Sequence, residues 1–98
     1  MKVKSARPSA AHPEAPVVTR SYDLARWIHE RTSSFPKHFR FGIGDRLHQE
    51  CLTLLGSLVT AIFARDRLAP LRAAKLAHTR LRVLIRLAHE LHCLSHDP

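Results

Sequence analysis

Acidic side chains are scarce in this chain of 98 residues, where eight Asp and Glu stand against sixteen Lys and Arg. No two of those carboxylates sit at a spacing that suggests a general acid–base pair, and no nucleophile arrangement stands out. Glycine is rarer still, with three residues, so there is no Gly-rich loop to cradle a nucleotide phosphate. The two cysteines, Cys51 and Cys93, make no CxxC pair. Long apolar runs are also missing. Cys51–Ala64 carries no charge but is shorter than the roughly 20 residues needed to cross a bilayer. The N-terminus has Lys2 and Lys4 but not the apolar run of a signal peptide, and Pro8, Pro13 and Pro16 interrupt it. These absences point away from an enzyme, a secreted protein and a membrane protein, and towards a small cytoplasmic one.

What the chain does have is positive charge and helical periodicity. The formal charge is +8, and the surplus is uneven. Lys2, Lys4, Arg7 and Arg20 oppose Glu14 near the start, and Arg72, Lys75, Arg80, Arg82 and Arg86 oppose Glu90 near the end. The stretch 21–50 is nearly balanced. A surplus confined to one tail and one helix suggests a directed contact with a polyanion.

Residues 1–18, rich in Pro, Ala and Ser, read as a disordered basic arm, and residues 19–98 as one helical bundle domain. The first helix is expected to start near Thr19 or Ser21 as cap, with Asp23 in its first turn and an apolar stripe of Leu24, Trp27, Ile28 and the stem of Arg31. Pro36 stops it near Ser34. A second helix runs from about Gly44 to Arg65, with Leu47, Cys51, Leu54, Leu55, Leu58 and Ile62 on one face and Leu52, Val59 and Phe63 on another. A tight turn at Arg65-Asp66-Arg67, capped by Asp66, leads to a third helix whose first turn tolerates Pro70.

At 100° per residue the apolar side chains of that third helix, from Val83 round to Ile85, sweep an arc of about 200°. One partner helix covers about half of that, so self-association is the natural outlet. Arg72, Lys75, Arg82 and Arg86 cluster within about 80° in the remaining arc. Such a row on a rigid rod suits a phosphate backbone. Arg80 falls inside the apolar arc and must pair with a carboxylate or sit at a seam. In an antiparallel hairpin turning near Asp66–Ala69, Cys51 and Cys93 lie about 22 Å and about 36 Å from the turn, so they cannot be bridged. Free thiols suit a reducing cytosol.

Between the first two helices lies the segment Phe35-Pro36-Lys37-His38-Phe39-Arg40-Phe41-Gly42-Ile43-Gly44-Asp45-Arg46. Gly42 and Gly44 there suggest backbone angles that side-chained residues avoid, and three Phe so close together should bury their rings in a packed corner. Lys37, Arg40 and Arg46 could extend the basic row, with His38 or Phe39 available for stacking if exposed.

Three pieces of sequence, in this order, resemble the accessory variability determinant (Avd) proteins of diversity-generating retroelements. They are Asp23-Leu24-Ala25-Arg26-Trp27-Ile28 leading into Phe35-Pro36, Arg40-Phe41 followed by Gly44-Asp45-Arg46, and Leu81-Arg82-Val83-Leu84-Ile85-Arg86-Leu87-Ala88. The resemblance covers roughly residues 20–95. It implies an all-α, up-and-down helical bundle without catalysis or cofactor, forming a basic barrel-like homo-oligomer (a pentamer in the family) that engages RNA and a reverse transcriptase. Family members continue into a fourth helix, whereas three are visible here, with self-association expected to complete the bundle.

Other readings are weaker. His89, His92 and His96, with Cys93, have a spacing that a metal could use, but they lack a CxxC or HExxH arrangement. Arg72…His78 and Arg86…His92 loosely match the Arg/His spacing of HEPN-type ribonucleases, a spacing that arises by chance in so Arg- and His-rich a chain. A helical interaction protein with no nucleic-acid role is the principal alternative.

Overall fold

In the computed structural model, which describes residues 15–93, the chain is helical throughout, with no strand among the described residues. Helix α1 spans Pro16–Thr32, about one turn earlier than capping residues alone predict. Pro16 supplies the start. Its missing N–H is no loss in the first helical turn, and its fixed φ suits a helix. Val18, expected in the arm, is therefore helical and only 4% exposed. The rest of the expected arm, residues 1–14, lies outside the described residues.

The buried line of α1 is Val18, Ser21, Ile28 and Thr32. Ser21 meets this burial by donating its hydroxyl to the Val17 carbonyl at 2.8 Å. Trp27, expected in the stripe, stands partly exposed with the Arg31 guanidinium 5.3 Å over its ring. This is a cation–π contact on the outer face.

The aromatic joint is not a glycine loop. A single helical turn, α2 (Lys37–Phe39), runs into a π-helical turn at Arg40–Gly44 and on into α3, Asp45–Phe63. No glycine has a positive φ, and Gly44 is helical at φ −59°, ψ −47°. Its side is buried, with Phe39 O, Phe35 Cδ2 and Thr32 Cβ at 3.6–3.8 Å from where a Cβ would stand. The expectation of unusual glycine angles therefore fails. So does that of three buried rings. Phe35 is 1% exposed and Phe39 packs against the core, but Phe41 is 71% exposed.

After Phe63 the chain turns and α4 runs over Leu68–Glu90 with Arg67, not the expected Asp66, at the N-cap. Asp66 stands one residue earlier, its carboxylate accepting from the Leu68 N–H at 3.0 Å. Pro70 sits in its first turn as expected. At the far end, Cys93 N–H donates to Ala88 O and His92 N–H to His89 O, a Schellman closure. It places His92 at φ 63°, where glycine is usual.

Helix α3 is the axis of the molecule: α1 and α4 both pack along it, whereas they approach each other little. Leu47, Leu54 and Leu58 of α3 join Ile28 and Phe35 on one side and Ala77, Leu81 and Ala88 on the other in one core. With no helix among the described residues closing the layer, much apolar surface stays outside. Leu52, Val59, Ile62 and Phe63 of α3 are exposed, as are Leu76, Val83, Leu87 and Leu91 of α4. The surplus anticipated from the apolar arcs is present. None of the helices is long and apolar enough to cross a membrane.

Candidate nucleic-acid interface

The local sequence of α4 positions the basic row. Ala74, Ala77, Leu81 and Ala88 bury one face against α3. At 100° per residue the opposite face receives Arg72, Lys75, Arg82 and Arg86, all four exposed. Short alanines bring the backbone of α4 close to α3, while the long cationic stems point away from it. Arg82 and Arg86 flank a shallow depression of about 250 Å³ with Thr79 and Val83. Glu90 is the one acid on this helix, and it sits 3.8 Å from Arg86 with both side chains mostly exposed. Such a pair contributes little and is easily exchanged for another anion. Alongside the row runs the exposed ridge Leu76, Val83, Leu87 and Leu91, so charge and apolar surface share one side of the helix.

The three cations of the joint behave differently from one another. Lys37 is exposed. Arg40 is exposed too, with Nη2 donating to the Phe35 carbonyl at 3.4 Å. Arg46 is committed elsewhere: its Nη2 lies 3.4 Å from Oε2 of Glu50, a carboxylate that is 6% exposed on the seam between α3 and α4. Across the same seam, Arg80 brings Nη1 to 4.0 Å from Glu50 Oε1, which has no hydrogen-bond partner among the described residues. Arg80 thus meets both halves of its expectation, carboxylate and seam. Glu50 holds two guanidinium groups from two helices, and a buried carboxylate needs such company.

Beside the joint, the end of α1 and the start of α3 enclose a cleft of about 300 Å³. Its lining includes His29, Thr32, Arg40, Phe41, Asp45 and His48. The two imidazoles meet edge to face with centroids 5.2 Å apart. Thr32 Oγ1 lies 3.1 Å from the His29 carbonyl and 2.7 Å from His48 Nε2, and which of the two it donates to follows the His48 tautomer. Sequence reasoning missed this cleft, because its partners are sixteen residues apart on different helices. It also missed the exposure of Phe41.

Neither thiol is poised for chemistry. Both are free. Burial first, and the neighbouring Glu50 charge second, raise the Cys51 thiol from 9.0 to about 11, and burial raises Cys93 as well. Among the described residues, no group of three or more His, Cys, Asp or Glu is placed to hold a metal ion. The helix ends before His92, which breaks the spacing that suggested one, and His96 lies outside the described residues. Arg72, His78 and Arg86 are exposed on α4, with His92 in its closing turn, so the ribonuclease-like spacings form no enclosed site among the described residues.

The sequence profile of the bAvd-like family matches residues 17–97, and the chain belongs to that family. No curated protein and no solved structure matches it.

Proposed function

We propose that this chain is a non-catalytic accessory protein of a diversity-generating retroelement, working in the cytoplasm as a homo-oligomer that binds RNA and the element's reverse transcriptase. The observation that carries the RNA half is the row Arg72, Lys75, Arg82 and Arg86, four exposed cations on one rigid face with Glu90 the sole acid on that helix. Lys37 and Arg40 would add phosphate contacts at the joint. Arg46 is better described as a partner of Glu50, with its mostly exposed side chain a lesser contributor to phosphate contacts. Membership of the family supports the reverse transcriptase as protein partner.

Self-association draws its support from two separate apolar stripes on one open layer. On α3, Leu52, Gly56, Val59 and Phe63 recur at helical spacing, all exposed or nearly so. A methyl group added at Gly56 would meet nothing within 4 Å, so no contact among the described residues accounts for a glycine in mid-helix. On α4 the ridge Leu76, Val83, Leu87 and Leu91 is a different surface. Pairing these two unlike faces between subunits would be a head-to-tail contact, the kind from which rings such as the family's pentamer are built.

The test is RNA binding across a salt series. Each phosphate contact on a single strand adds about 0.7 to the log–log slope, so changing Arg82 and Arg86 to Gln should flatten it by roughly one to two units. Affinity should fall alike for all sequences, because phosphate contacts position without specifying. Folding should hardly change. Loss of the oligomer with an intact salt slope would make the row an assembly element, and the reading as an interaction protein without a nucleic-acid role would take over.

A further inference from the structure

Phe41 is the odd ring of the joint. Phe35 is sealed in the core and Phe39 packs against it, yet Phe41, two residues on, leaves 71% of its surface open. It does so at the rim of the cleft between the end of α1 and the start of α3. The cause is local: the π-helical turn at Arg40–Gly44 widens the backbone and changes the phase of the residues it contains. Turns of this kind often mark functional positions.

The groups around the ring are complementary to one kind of ligand. The cleft, at about 300 Å³, is at the small end of ligand pockets and suits one planar ring system. Arg40 stands on its rim, exposed, with one donor to the Phe35 carbonyl and a guanidinium whose other donors could serve a phosphate. The Asp45 carboxylate on the α3 side can accept from an exocyclic amine. The edge-to-face pair His29 and His48 lines the cleft, tied to buried Thr32. An exposed aromatic face, a neighbouring guanidinium and a polar slot are what an unstacked base and its phosphate require.

We infer that the cleft beside Phe41 is a subsite for a single unpaired nucleotide, with the base stacked on Phe41, its amine edge towards Asp45 and its phosphate on Arg40. The inference rests on the RNA-binding reading and adds to it a contact that recognises a base, where the α4 row recognises only backbone. The same chemistry could take its nucleotide from a strand or from free solution, so both are tested.

The experiment compares the full-length protein with Phe41→Ala and Phe41→Trp on three probes: oligoadenylate carrying one 2-aminopurine, inorganic polyphosphate, and AMP. Phe41→Ala should weaken the RNA oligomer by about 5- to 150-fold, the range that loss of one stacked base produces, and abolish the fluorescence change of 2-aminopurine. Polyphosphate affinity should stay within about twofold, because it offers no base for the ring to stack on, and Phe41→Trp should keep the RNA signal. Equal losses on RNA and polyphosphate, or no loss on either, would overturn the subsite while leaving phosphate binding by α4 intact. Dissociation of the oligomer by Phe41→Ala with RNA binding unchanged would also overturn it, making the ring a subunit contact. If the unaltered protein bound no RNA but bound AMP in a Phe41-dependent way, the RNA reading would fail and the nucleotide site would stand. Binding of neither would refute the site itself.

Discussion

Two phenylalanines six residues apart provide a sharp test of how the joint is built. Phe35 is 1% exposed in the shared core of α1 and α3, with its Cδ2 against the buried side of Gly44. Truncating it to Ala removes a full aromatic ring from a packed site and should cost about 3–5 kcal/mol. A chain of this size has only about 5–15 kcal/mol in total, so the variant should sit at or near the edge of unfolding. Phe41 keeps less than a third of its surface covered. At about 25 cal/mol per Å² of apolar area, Phe41→Ala should cost only on the order of 1 kcal/mol. Urea unfolding followed by far-ultraviolet circular dichroism measures both, at one fixed protein concentration because self-association makes stability concentration-dependent. Phe35→Leu, which refills most of the volume, should recover the larger part of the loss. Equal midpoint shifts for the two Ala variants, or a larger one for Phe41, would refute the placement of these rings and make Phe41 the anchor of the corner.

The open layer makes further predictions. Gly56→Ala should stabilise an isolated subunit by up to about 1 kcal/mol, since Ala is the better helix former and open space surrounds the site. If Gly56 instead lies where two subunits approach closely, sedimentation will show the oligomer weakened. His92→Gly should raise stability by about 1 kcal/mol in thermal melts, because His92 occupies a left-handed conformation at φ 63°. The Cys51 thiol binds its proton more tightly in the fold, with a pKa of about 11 against 9.0. Its contribution is therefore complete below pH 9 and is lost as pH rises towards and past 11. Alkaline titration of unfolding should show this fall, and Cys51→Ala should flatten it. Iodoacetamide at neutral pH should modify the half-buried Cys93 well before Cys51, which is 3% exposed.

Helix identity was legible in the sequence because it depends on local chemistry. The 3.6-residue periodicity of Leu47, Cys51, Leu54 and Leu58, the end of α1 before Pro36 and the Asp66 turn before α4 each act within a few residues, and each appears in the fold, with the N-cap of α4 one residue later, at Arg67. The outward row Arg72, Lys75, Arg82 and Arg86 was legible for the same reason, since a helix of known phase assigns its faces. Even Arg80's need for a partner followed from its place in an apolar arc. Pairings across helices were another matter. That Glu50 would be the carboxylate between Arg46 and Arg80, and that Thr32 would meet His48, depends on how far each helix slides along α3. No local pattern sets that offset. Composition misled at the joint, where three rings and two glycines suggested a buried corner with unusual backbone. A π-helical turn instead continues the helix, keeps Gly44 in ordinary helical angles and turns Phe41 out to solvent. Which ring is core and which is surface depends on the phase of one widened turn, and only packing against α1 and α3 determines it.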